Sequence, residues 1–272
     1  MTFSSRWKQA GSAHGSLLCV GLDPELERLP SPLRQGDDPF FAFGQAIIDA
    51  TAPFAAAFKP QFAHFAGQGQ LSALVRLCHY IRRNYPQHLL ILDAKRGDIG
   101  STADHYAREA FAVHDADAVT VNPYMGGDTL EPFTRDPARG IFVLCKTSNP
   151  GSGELQGLRL EGGRLLFEEV AARAAETWSR NHNVGLVVGA TYPEELAAVR
   201  RLAPDLPILV PGIGAQGGDL AATLRAGLRP GGDGLFINAS RSILYASGGP
   251  DFATAAAAEA KSLRDAINAL RP

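Results

Sequence analysis

Cysteine is scarce in this chain, and its placement excludes more than its number. Cys19, Cys78 and Cys145 are an odd set at wide spacing, with no Cys-x-x-Cys pair and no His-Glu-x-x-His run, so neither a disulfide framework nor a zinc site is expected. They read as reduced, buried thiols. Long apolar runs are missing too. No stretch approaches the roughly 18 residues of a membrane span, and the N-terminal MTFSSRWKQAGSAHGS lacks the apolar core of a signal peptide, which predicts a soluble, cytoplasmic protein with no membrane partner. Bulk charge is low: a net charge of -2 and a pI near 6.4 supply no basic field for nucleic acid, so any anion site must be local. His64, His79, His105 and His114 share no metal-binding spacing and read as ordinary hydrogen-bonded or surface histidines. No low-complexity linker divides the chain, which predicts one domain over residues 1–272.

What is present is a regular alternation. With 45% hydrophobic and 20% charged residues the chain can bury a large core. Short β-rich runs fall at 16 to 22, 53 to 59, 88 to 95, 117 to 122, 140 to 146, 184 to 190, 207 to 212 and 233 to 238. The second is Ala-rich, and its AAAF also suits a helix. Helical patterns lie between and after them, near 39 to 52, 69 to 85, 101 to 114, 127 to 136, 162 to 181, 193 to 203, 217 to 226 and 252 to 269. Strand-then-helix units imply a parallel sheet covered by helices, and eight of them fit an α/β fold of the (β/α)8 TIM barrel type better than an open sheet. The Ala-rich segment 252 to 269 reads as the last barrel helix. The Gly- and Pro-rich patches at 148 to 157 and 211 to 218 fall where active-site loops belong.

In such a barrel the C-terminal ends of the strands carry the chemistry. Read in order, those ends offer Asp23, then Lys59, then Asp93 with Lys95, then Asn122. Thr147 and Ser148 follow the fifth strand, Gly189 and Thr191 the sixth, Pro211 to Gln216 the seventh, and Asn238, Ser240 and Arg241 the eighth. One polar strand end is ordinary, whereas a ring of them marks a site. The densest is LLILDAKRGDIGST at 89 to 102. Leu89, Ile91, Asp93 and Lys95 share one parity, so a strand here points them to the same side and sets Asp93 beside Lys95. Asp98 falls in the following loop, and Ser101 or Thr102 is placed to cap a helix running to His114.

These motifs resemble a known family. GLDP at 21 to 24, AFKPQ at 57 to 61, LDAKRGDIGST at 92 to 102, TVNPYMG at 120 to 126, TSNPG at 147 to 151, VPGIGAQGGD at 210 to 219 and NASRS at 238 to 242 are similar to those of orotidine 5'-phosphate decarboxylases, in the longer bacterial branch. The likeness spans about residues 16 to 245, with one departure at Ala66-Gly67, where that branch leads one to expect an acidic residue. Asp-x-Lys-x-x-Asp alone is shared with other sugar-phosphate enzymes on this barrel, and metal-dependent relatives would need a carboxylate where the second strand ends in Lys59.

The resemblance implies cofactor-independent, metal-free decarboxylation of orotidine 5'-monophosphate to uridine 5'-monophosphate. It implies an alternating array of Lys59, Asp93, Lys95 and Asp98 in which opposite charges hold one another ionised. Lys95 would stabilise negative charge at the ring carbon and protonate it. Asp93 would face the substrate carboxylate, where like charges at about 4 Å repel by about 4 kcal/mol at an effective dielectric of 20. Asp23 and Lys59 suit the ribose hydroxyls, Ser148 the pyrimidine edge, and Gln216 with Arg241 and the amides of Ser240 and Arg241 the phosphate. Pro211 completes the wall, and GIGAQGGD at 212 to 219 is the natural lid. A homodimer is also implied, with Asp98, Ile99 and Thr102 reaching the neighbouring subunit's site.

Overall fold

The computed structural model of the chain describes residues 1–213 and 218–272. Eight parallel strands close into a barrel in sequence order: β1 (Leu18–Leu22), β2 (Ala57–Pro60), β3 (Leu89–Arg96), β4 (Ala118–Val121), β5 (Gly140–Lys146), β6 (Val184–Val188), β7 (Ile208–Pro211) and β8 (Leu235–Ala239). Closure is made by β1 and β8, which pair Leu18 with Ile237 and Cys19 with Asn238. Helices cover the outside, among them Pro39–Thr51, Leu71–Asn84, Pro193–Leu202 and Phe252–Ala269. Among the described residues no helix is long and apolar enough to cross a membrane.

Side-chain parity sorts the core into two layers. Leu90 and Leu92 of β3 join the cluster between strands and helices, while Leu89 and Ile91 point into the barrel with Cys19, Ala57, Ala118, Phe142, Val187, Leu209 and Phe236. That alternation is the period-2 rule at work, and it carries Asp93 to the inner side at the strand's upper end. All three cysteines are buried free thiols. Cys19 belongs to the inner layer and Cys145 to the outer one, where its Sγ meets the Phe167 carbonyl at 3.2 Å.

The bottom of the barrel is closed by a helix that the sequence reading left unassigned, α1 (Phe3–Ala13), capped by Thr2, whose side chain accepts from the Ser5 amide. Phe3, Trp7 and Ala10 lie on one face and are buried in the inner layer. The Phe3 ring meets Phe142 edge-on at 6.0 Å between centroids, and Trp7 meets Phe236 at 6.5 Å. Gly140 makes room, because a Cβ there would stand 2.5 Å from the Phe3 ring. Arg6 fixes the helix from the side, donating to Asp117 at 3.1 Å and to the His88 carbonyl at 2.6 Å.

Several expected boundaries shift. The second strand begins at Ala57, so most of the Ala-rich run precedes it. The helix expected from 101 to 114 starts at Gly100 with Ile99 at its cap, so Ser101 and Thr102 lie inside the first turn and cap nothing; after Arg108 it continues as a π turn, Glu109–Val113. The pattern at 127 to 136 forms only a 3-10 turn and the short helix Glu131–Thr134. The helix near 162 to 181 begins at Leu166 and ends in a π turn at Ala174–Trp178.

Candidate active site

At the C-terminal mouth of the barrel lies a cavity of about 440 Å³. Eight of the expected site residues line it: Asp23, Lys59, Asp93, Lys95, Ser148, Pro211, Ser240 and Arg241. Gln216 lies outside the described residues, as does much of the expected lid. Asp98, Ile99 and Thr102 are not among the described residues lining this cavity. Asp98 accepts from the Ile99 amide at 2.8 Å, and Ile99 itself is 60% exposed. Asn122 likewise stays out of the cavity, its Oδ1 accepting from the Tyr124 amide at 3.0 Å.

Asp93 is the hub. Its carboxylate is buried, and each oxygen takes two donors: Oδ2 accepts from Lys59 Nζ at 2.9 Å and Gln61 Nε2 at 3.0 Å, and Oδ1 from Lys95 Nζ at 2.6 Å and Thr120 Oγ1 at 2.8 Å. Four donors saturate what a carboxylate can accept, so the group is fixed in both position and charge. Burial by itself would push its protonation upward, but the ammonium groups of Lys59 and Lys95 outweigh it and hold Asp93 well below the usual carboxylate range. Burial also works against charge on Lys59, and there the carboxylates of Asp93 and Asp23 prevail and raise it above the ordinary lysine range. Lys59 is enclosed, whereas the Lys95 side chain is 47% exposed at the cavity floor. One carboxylate thus sits between two ammonium ions, one locked and one facing the space where a ligand would lie.

The backbone explains how these groups meet. An isolated parallel bridge pairs Gln61 with Asp93, extending β2 alongside β3 and bringing Gln61 to the hub. Above Leu92 the register of β3 on β4 shifts, and Lys95 adopts a left-handed backbone with φ of 47°. Sequence reasoning assigned no role to Gln61 or Thr120, although Gln61 stands in AFKPQ and Thr120 is two residues beyond the inward-facing Ala118, a spacing that points it into the barrel.

The walls are built from tied loops. After β1, Tyr245 Oη accepts from the Glu25 amide at 2.9 Å and donates to the Asp23 carbonyl at 3.3 Å, and Gln68 Nε2 donates to the Pro24 carbonyl at 2.9 Å. Ser240 reaches the floor only because residue 21 is glycine: a Cβ there would be 1.9 Å from Ser240 Oγ. After β5, buried Lys146 donates to Ser152 Oγ at 2.8 Å and pairs with Glu195 at 3.2 Å. Gln156 accepts from the Thr147 amide at 2.8 Å, so both ends of the loop carrying Ser148 are held. Asp23 Oδ1 and Asn238 Oδ1 are buried at this cavity with no hydrogen-bond partner among the described residues.

A family model described as Orotidine 5'-phosphate decarboxylase / HUMPS family matches residues 16–257. The chain belongs to that family. Orotidine 5'-phosphate decarboxylase of Bordetella petrii is 53% identical over 272 residues, covering 100% of both chains, and that of an Azoarcus species is 52% identical over 271 residues with the same coverage. Among solved structures, the OMP decarboxylase of Leishmania donovani superposes with a TM-score of 0.86 at 43% identity, covering 100% of this chain and 99% of its own. These relatives are matched over the whole barrel, the N-terminal helix included.

Proposed function

We propose that this chain decarboxylates orotidine 5'-monophosphate to uridine 5'-monophosphate and carbon dioxide, as one barrel domain and without a cofactor. The observation that carries the reading is the saturated Asp93 carboxylate between Lys59 and Lys95 in a cavity that Arg241 also lines. A nucleotide with its phosphate toward Arg241 sets its pyrimidine over Lys95. The carbon–carbon bond to the carboxylate breaks, carbon dioxide leaves without the electron pair, and the pair remaining on the ring carbon takes a proton from Lys95 Nζ. Lys95 is then recharged from solvent. Asp93 contributes by holding a negative charge that the substrate carboxylate must approach, a repulsion relieved as carbon dioxide departs, and by holding the Lys95 ammonium in place. Asp23, with a buried acceptor unmatched among the described residues, suits a ribose hydroxyl, with Lys59 beside it. Ser148 and Pro211 flank the base, and Ser240 joins Arg241 at the phosphate, where Gln216 is assigned as a further ligand.

The array of one chain ends at Lys95. We assign its fourth member, Asp98, together with Ile99 and Thr102, to the cavity of a second copy, so that the working unit is a homodimer. The exposure of Ile99 and the position of Asp98 and Thr102 outside their own cavity support this. The three reduced thiols fit a cytoplasmic setting. A magnesium-dependent reaction on the same barrel fits less well, because a metal at Asp93 would have to displace two ammonium groups already bonded to it.

The test is the decay of orotidine monophosphate absorbance with and without a chelator. Chelator-resistant turnover is expected. Binding without turnover, or turnover of a sugar phosphate that the chelator abolishes, overturns the proposal.

A further inference from the structure

We propose that Thr120 is a positioning residue that sets the Asp93–Lys95 pair for proton delivery, an inference that rests on the decarboxylase reading above. Between the pairs Leu92↔Val119 and Arg96↔Val121, β3 places Asp93, Ala94 and Lys95 where β4 has only Thr120. Bulges of this kind re-aim side chains and leave backbone amides without their ladder partners. Thr120 supplies what β4's backbone cannot. Its Oγ1 accepts from the amides of Ala94 at 3.0 Å and Lys95 at 2.9 Å and donates its proton to Asp93 Oδ1 at 2.8 Å. A hydroxyl has one donor and two acceptor sites, and all three are used. Thr120 is 1% exposed, so it has no capacity left for a ligand even though it borders the cavity. It acts through its neighbours.

The consequence for chemistry follows from the backbone at Lys95. A non-glycine residue at φ of 47° persists only where its surroundings over-determine it. The amide bond to Thr120 Oγ1 is one such restraint, and the Lys95 Nζ bond to Asp93 Oδ1 is the other, on the same oxygen that Thr120 holds. One hydroxyl therefore fixes both ends of Lys95, main chain and ammonium. Without it, relaxation of residue 95 toward an extended backbone turns its side chain away from the cavity floor. A nucleotide's ribose and phosphate, which touch other loops, would still bind.

The discriminating variants are Thr120→Val, which keeps shape and loses the hydroxyl, and Thr120→Ser, which keeps it. Thr120→Val is expected to lower kcat by about thirtyfold or more while uridine 5'-monophosphate binding, read by calorimetry, stays within about threefold; Thr120→Ser is expected to restore kcat to within about threefold of the parent. Should the valine protein not be recovered folded, Thr120→Cys against Thr120→Ser makes the same comparison, oxygen against sulfur. A hydroxyl-free variant with kcat within about threefold of the parent overturns the proposal, as does a serine variant no better than it, or a loss of nucleotide binding equal to the loss of kcat. Amide hydrogen exchange separates this from the functional reading. Protection at Ala94 and Lys95 falls in Thr120→Val and survives in Thr120→Ser; unchanged exchange sinks the positioning role, whereas a parent enzyme that leaves orotidine monophosphate untouched sinks the decarboxylase reading alone.

Discussion

Replacing Asp93 by Asn removes the hub's charge while keeping its shape. Lys59 Nζ lies 2.9 Å from Asp93 Oδ2, a separation worth about 6 kcal/mol of attraction at an effective dielectric of 20, set against the cost of keeping both groups out of water. Deleting one partner of a buried pair strands the other, which costs about 3–5 kcal/mol; the half-exposed Lys95 adds little. For a chain of this size that lowers Tm by about 10 °C. The pH dependence is the sharper signature. In the parent, the Lys59 contribution is fully present below 10.5, its unfolded value, and is lost only as pH climbs through its higher folded value. In Asp93→Asn, burial, the largest single influence on Lys59, is opposed only by Asp23 and Cys19, and the folded value of the lysine is expected to fall below the unfolded one. The unfolded chain then binds the proton more tightly, so stability rises as pH increases from 7 toward 10. Urea unfolding at pH 7, 8.5 and 10 reads both effects. A variant within about 1 kcal/mol of the parent at pH 7, with a parallel profile to pH 10, would refute the buried-pair reasoning.

Three further outcomes are expected. Mixing Lys95→Ala chains with Asp98→Ala chains should restore about a quarter of parental activity, because a shared-site heterodimer holds one intact site and one doubly defective one; no recovery despite proven heterodimers removes the cross-subunit assignment. Arg241→Ala should weaken uridine 5'-monophosphate by about 10- to 100-fold while leaving the nucleoside unchanged in calorimetry, and an equal loss for both contradicts its phosphate role. Burial lowers His88 and His114 to about 4, from an ordinary 6.5, so the unfolded chain protonates first and stability falls as pH drops from 6.5 to about 4. Each histidine contributes up to about 3 kcal/mol to that loss, and a His88→Gln protein with an undiminished slope in urea unfolding contradicts its share.

The barrel was legible because eight apolar runs alternate with helical patterns, and because period-2 parity along β3 fixes which residues face inward. Asp93 was legible for the same reason, whereas Lys95 meets it through a bulge and a left-handed backbone and not through an unbroken strand parity. Helix α1 is hard to read from the chain, because Phe3, Trp7 and Ala10 recur at helical spacing but form a thin apolar stripe whose use, plugging the barrel, depends on the closed sheet. Thr120 and Gln61 were missed for a different reason. Their importance comes from a bulge in β3 and a bridge beyond β2, tertiary features that no local spacing in the chain announces. Ser101 and Thr102 mislead in the opposite sense, since both favour caps, yet the turn closes earlier, with Ile99 extended and Gly100 opening the helix at positive φ.

In the proposed mechanism the ammonium of Lys95 delivers the proton that replaces carbon dioxide. Single-turnover decay of orotidine monophosphate by Lys95→Ala, measured on protein shown to bind uridine 5'-monophosphate, tests it most directly. Normal occupancy is expected, with a rate at least about 10³-fold below the parent. A saturated variant that still decarboxylates within about tenfold of the parent contradicts it.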